Sequence, residues 1–159
     1  GEVNYFSDKV ALKKDMELRR RITLVLPKIG VFNTTVFNNA AYGLKIRGMK
    51  RKDVDEKTDN ALDFVGLINK KNRPALTLSS GEAQRLGIAR AMIIEPDIIF
   101  LDEPTASIDE KNTEIVEEII LKIKKQTGAT IILTTHDASH AKKLAGKILF
   151  MKDGCFLTD

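Results

Sequence analysis

Residues 78–109 read LSSGEAQRLGIARAMIIEPDIIFLDEPTASID and set two unlike elements in succession. A turn of small residues, Ser79-Ser80-Gly81, opens a stretch with helical spacing. After Pro96 the run Ile98 to Leu101 is apolar without interruption and ends in two acids, Asp102 and Glu103. Such a run is expected for a parallel strand covered on both faces, and open α/β sheets gather their ligands where such strands end. Two successive carboxylates leave a strand end in different directions. One can therefore hold a divalent cation while the other faces a water, although both could also merely cap the next turn.

Downstream, strand and helix alternate. Asp109 is placed to cap a helix in which Ile115, Val116, Ile119, Ile120 and Ile123 recur with a 3.6-residue period, closed by Gly128. Thr130 to Thr135 reads as a second buried strand, and Asp137 caps a short helix that Gly146 stops. Lys147 to Met151 and Cys155 to Leu157 form a closing hairpin about Asp153-Gly154. Upstream, Val3 to Phe6 and Ile22 to Leu26 read as strands, with a short helix around Lys14 to Arg21. Thr34 to Ile46 and Val54 to Leu67 read as helices, Gly66 marking the end of the second. The pattern predicts an α/β fold, a mostly parallel sheet with flanking helices, carrying a helical subdomain. The α/β core is expected in 1–33 and 95–159 and the helical subdomain in 34–94.

A chain of 159 residues with 43% hydrophobic and 30% charged residues has the composition of one globular domain. No apolar run approaches the roughly 20 residues that cross a bilayer, and no signal-peptide pattern opens the chain. Its single cysteine, Cys155, excludes an internal disulfide. The formal charge is +4, but the basic clusters are scattered among acids and there is no tryptophan, so a nucleic-acid partner is not expected.

From Leu78 to Asp109 the spelling resembles the signature loop and Walker B strand of ATP-binding cassette (ABC) ATPases. The resemblance implies a P-loop NTPase-like sheet, ATP and Mg²⁺ as ligands, Asp102 as the metal carboxylate and Glu103 as the general base. It makes Ser79, Ser80, Gly81 and Glu82 a γ-phosphate site acting on nucleotide held by a second subunit, which implies a homodimer with ATP between the chains. The physics is compatible, because small residues let N–H groups approach a phosphate and a helix start carries about half a positive charge. A serine-glycine start is also an ordinary helix cap. His136, after the strand ending at Thr135, matches the family's switch histidine, and Asp109 matches the aspartate that crosses the dimer interface. His140, one turn further on, is expected at the surface.

There are departures. Ser80 stands where the family usually has glycine, Glu82 where glutamine is common, and Pro27 where a metal-contacting glutamine is usual. No G-x-x-x-x-G-K-[ST] occurs; Gly43 and Gly48 have the glycine spacing, but Met49 takes the lysine position. The resemblance starts just after the P-loop helix, with Gly1-Glu2-Val3 as the following strand. A piece of a longer domain is therefore expected, inactive alone, and the P-loop strand is expected beside the Walker B strand. The implied function is the ATPase subunit of an ABC transporter, of importer type, with oxyanion importers suggested by Ala41 to Gly48. Its partners would be a transmembrane permease and a second nucleotide-binding subunit, and its place the cytoplasmic face of the cell membrane. A non-catalytic ABC-like interaction module is the alternative. A chromosome-maintenance ATPase is disfavoured because no heptad pattern runs between Leu26 and Leu78.

Overall fold

The computed structural model describes residues 4–7 and 9–157. A first hairpin, β1 (Phe6–Ser7) with β2 (Val10–Ala11), stands apart from the main sheet. The strand expected over Val3 to Phe6 is thus displaced toward Phe6–Ser7; Val3, and the Gly1-Glu2-Val3 match, lie outside the described residues. Asp15 caps the short α1 (Met16–Arg20) by accepting from the Glu17 and Leu18 N–H groups.

The main sheet has three parallel strands in the order β3 (Ile22–Val25), β4 (Ile98–Asp102), β5 (Thr130–Thr134). Its register aligns Leu24 with Phe100 and Ile132 on one face, and Val25 with Leu101 and Leu133 on the other. The second face is the core: Val25, Ile99 and Leu101 are buried in one cluster with Leu86, Ile88, Val116, Ile119, Ile120 and Ile123. The first face is more open, with Leu24 56% and Ile132 43% exposed. Among the described residues the sheet is therefore packed closely on one face, whereas the expectation is of strands covered on both. The order also corrects the place expected for a P-loop strand. β4 is hydrogen-bonded on both edges, to β3 and to β5, so no further strand can pair beside it.

Between β3 and β4 lie α2 (Val36–Ile46), α3 (Arg51–Phe64) and α4 (Ser80–Met92). Thr35 caps α2 through its hydroxyl, and the buried Asn39 side chain accepts from Phe32 N–H and donates to the Phe32 and Thr35 carbonyls, fixing the loop that enters it. α3 begins three residues before the expected Val54, because Arg51-Lys52-Asp53 is helical although it contributes nothing to the apolar stripe. It ends at Gly66, whose φ of +70° admits the Leu67 N–H bond back to the Leu62 carbonyl at 2.7 Å. α4 packs against α2 and α3 on one side and against β3 and α5 (Glu110–Gln126) on the other, so one cluster of buried side chains runs through the chain.

After β5 come α6 (Ala138–Leu144) and a hairpin of β6 (Met151–Lys152) and β7 (Cys155–Phe156), shorter than expected, turning at Asp153 and Gly154 with φ of +52° and +79°. Among the described residues no helix is long and apolar enough to cross a membrane.

Candidate functional site

β4 delivers Asp102 opposite Thr134 of β5, and that register builds the site. The Thr134 hydroxyl donates to Asp102 Oδ1 at 2.6 Å, while Glu103 N–H donates to the Thr134 carbonyl and hydroxyl, both at 3.2 Å. Glu103 has a φ of +45°, a left-handed backbone that non-glycine residues rarely adopt. Strain of this kind costs about 1–3 kcal/mol and persists only where neighbours enforce it. Here the enforcing neighbour is Thr134, and the effect is to turn the Glu103 side chain toward His136.

Glu103 Oε1 lies 2.9 Å from His136 Nδ1. Hydrogen bonding to Glu103 and the negative charge of that carboxylate raise the His136 pKa above its ordinary 6.5, although the ring itself is largely exposed. With Nδ1 donating to Glu103, Nε2 finds no hydrogen-bond partner among the described residues; in the imidazolium form, which the raised pKa favours, it carries an N–H able to donate outward. Next in the chain, Asp137 caps α6. The Ser139 hydroxyl and the Ser139 and His140 N–H groups hold its carboxyl down to about 2.

The second cluster is at the start of α4. Ser79 and Glu82 form a capping box: Ser79 Oγ accepts from Glu82 N–H at 3.3 Å, and Glu82 Oε2 accepts from Ser79 N–H at 3.1 Å. Glu82 also pairs with Lys70. Partial burial alone would raise its carboxyl, but Lys70, the Ser79 N–H and Arg85 together hold it below the ordinary value. The Glu82 carboxylate is thus committed to the cap of its own helix and to Lys70. The Ser80 and Gly81 N–H groups have no acceptor among the described residues, which leaves two first-turn donors for an anion. Ser79 and Ser80 are exposed, whereas Gly81 is buried. Asp109 caps α5, its Oδ1 accepting from Asn112 N–H at 2.9 Å and its Oδ2 from Asn112 Nδ2 at 2.8 Å; these bonds lower its pKa.

Asp102, Glu103 and His136 are therefore brought together, and Ser79 to Glu82 with Asp109 form another group. Among the described residues no hydrogen bond or ion pair joins the two groups. Pro27 lies two residues beyond Val25, the last residue of β3, half-buried and without an N–H to offer. His140 is not the surface residue expected. It is half-buried between α6 and α5, with Nδ1 3.3 Å from Thr105 Oγ1 and Nε2 3.8 Å from both Glu117 Oε1 and Asp137 Oδ2. Thr134 and Asn112, which bond the site aspartates directly, were not singled out in the sequence. Thr134 was accessible only through the β4–β5 register.

One carboxylate with a free oxygen at a strand end fits a hard cation that keeps several waters and takes substrate phosphate as ligand. Among the described residues no group of three or more His, Cys, Asp or Glu stands ready to hold a metal without such help.

The family described as ABC transporter matches residues 1–106. The tungstate uptake system ATP-binding protein of Peptoclostridium acidaminophilum is 37% identical over 154 residues, covering 97% of this chain and 70% of its own length. A phosphate import ATP-binding protein of Natronomonas pharaonis is 37% identical over 154 residues, covering 89% of this chain and 53% of the relative. Among solved structures, cbiO1 from Clostridium perfringens, described as part of the ABC transporter complex cbiONQ, superposes with a TM-score of 0.88 at 26% identity, covering 96% of this chain and 63% of that one. The chain thus spans between about half and 70% of the length of these proteins.

Proposed function

Since the chain belongs to the ABC transporter family, we propose that the protein is the ATP-hydrolysing subunit of an ABC importer. The observation that carries this is the Asp102–Thr134–Glu103–His136 cluster, with backbone strain concentrated on Glu103.

In the proposed reaction Glu103 takes a proton from a water whose oxygen attacks the γ-phosphorus of ATP. The bond to the β-phosphate oxygen breaks, and ADP and inorganic phosphate leave. His136 donates from Nε2 to a γ-phosphate oxygen, and its Nδ1 contact holds the Glu103 carboxylate at the strand end. Asp102 is the residue that would hold Mg²⁺, which supplies charge neutralisation on the phosphate oxygens when bound. Ser79, Ser80 and the free N–H groups of Ser80 and Gly81 receive the γ-phosphate of nucleotide carried by a second copy, while Asp109 lies along that interface. Separation of the two clusters within one chain supports an arrangement in which each completes the site of a neighbour.

The permease partner is proposed to seat a cytoplasmic segment in a groove of about 590 Å³ whose lining includes Leu24, Leu26, Tyr42, Ile46, Arg47 and Arg90. Its exposed apolar floor and basic rim suit an amphipathic segment with acidic flanks. The protein would then sit peripherally at the inner face of the membrane. Relatives named for tungstate and phosphate suggest an oxyanion as cargo, in competition with the amino acid suggested by methionine import ATP-binding relatives at 34% identity.

Sedimentation of the full-length protein tests the proposal: dimer with ATP and monomer with ADP is expected, and indifference to nucleotide would overturn the sandwich. Pro27 favours a second reading, a non-catalytic interaction module, which predicts no turnover in the full-length protein.

A further inference from the structure

We infer that Asn112 is a positioning residue that welds the start of α4 to the Asp109 loop, and that Gly81 is glycine because Asn112 lies on it. A Cβ at Gly81 would fall 2.6 Å from Asn112 Cβ and nearer still to its Cγ, inside any real contact distance. The Asn112 side chain cannot easily yield. Its amide donates to Asp109 Oδ2 at 2.8 Å while its own N–H is held by Asp109 Oδ1, so both ends of the residue are fixed by one carboxylate. Gly81 is accordingly buried, whereas its neighbours Ser79 and Ser80 are exposed.

The consequence is mechanical. Asp109, Asn112 and Gly81 form a continuous contact from the loop after Glu103 to the N–H groups at the start of α4, and neither end can shift without the other. This rests on the reading that Ser79 to Gly81 and Asp109 face a second subunit. On that reading, Asn112 makes the loop and the phosphate-binding helix start move as one body when the dimer closes.

The test is a double-mutant cycle in the full-length protein: Gly81→Ala, Asn112→Gly and both together, read by ATP-driven dimerisation. Overpacking by Gly81→Ala should weaken ATP-driven dimerisation about tenfold or more. Adding Asn112→Gly, which removes the clashing Cβ as well, should bring the double variant back to the level of Asn112→Gly alone. A double variant as poor as the product of the two single losses would overturn the inference, because independent sites add. Should Gly81→Ala prove too unstable to assay, thermal melting decides: Asn112→Gly restores folding in the double variant if the contact is the cause, and fails to if it is not. Ser80→Glu tests the underlying reading alone. It should abolish ATP-driven dimerisation, and indifference to it would count against that reading without touching the Gly81–Asn112 contact.

Discussion

Glu103 and His136 are joined through Oε1 and Nδ1 at 2.9 Å, the carboxylate coming from the end of β4 and the imidazole from the loop after β5. The pair makes the histidine more basic than usual, because the carboxylate bonds and attracts the imidazolium. NMR titration of His136 should therefore give a midpoint above 6.5, and Glu103→Gln should lower it toward that value. A folded-state pKa above the unfolded one means the pair stabilises the fold below pH 6.5, and that contribution is lost as pH rises through the raised value. An unshifted His136 midpoint would break the pairing.

The left-handed backbone of Glu103 predicts a trade between stability and activity. Glycine tolerates a φ of +45°, so at a pH above the raised His136 value, where the pair no longer stabilises the fold, Glu103→Gly should leave stability unchanged or raise it by about 1 kcal/mol while abolishing turnover. Thermal and denaturant unfolding check this. A clear loss of stability would show that the conformation is not strained.

Thr134 holds both acids with one hydroxyl. Thr134→Val keeps shape and β propensity but removes those bonds, which should cost about 1–2 kcal/mol, with a matching fall in turnover; Thr134→Ser should retain most of both. Equal effects of valine and serine would assign the role to packing instead of the hydroxyl.

Local chemistry was readable in the chain, and its long-range geometry was not. Asp137 and Asp109 announce their caps because an acid precedes a periodic apolar stretch, and both helices begin where expected. Nothing local to residues 97–102 tells which strands flank β4, so residue types alone misplace the P-loop strand beside it. The charged start of α3 escaped a reading based on apolar period. Glu103's φ, the burial of His140 and the Asn112 side chain over Gly81 each depend on contacts between segments far apart in sequence, which residue types alone do not encode.

The groove beside β3 predicts a separable phenotype. Tyr42 and Ile46 are exposed in α2 at 46% and 65% and take no part in either cluster. Tyr42→Ala with Ile46→Ser should weaken co-purification with the permease while leaving ATP turnover of the free protein within about threefold, as surface changes usually do. Undiminished co-purification would remove the groove from the account.

Release of inorganic phosphate from ATP by the full-length protein, wild type against Glu103→Gln, tests the central claim most directly. A general base at this position predicts a fall of about a hundred- to ten-thousand-fold with nucleotide binding intact. Turnover within a few-fold of the parent, or none in either protein, would contradict it.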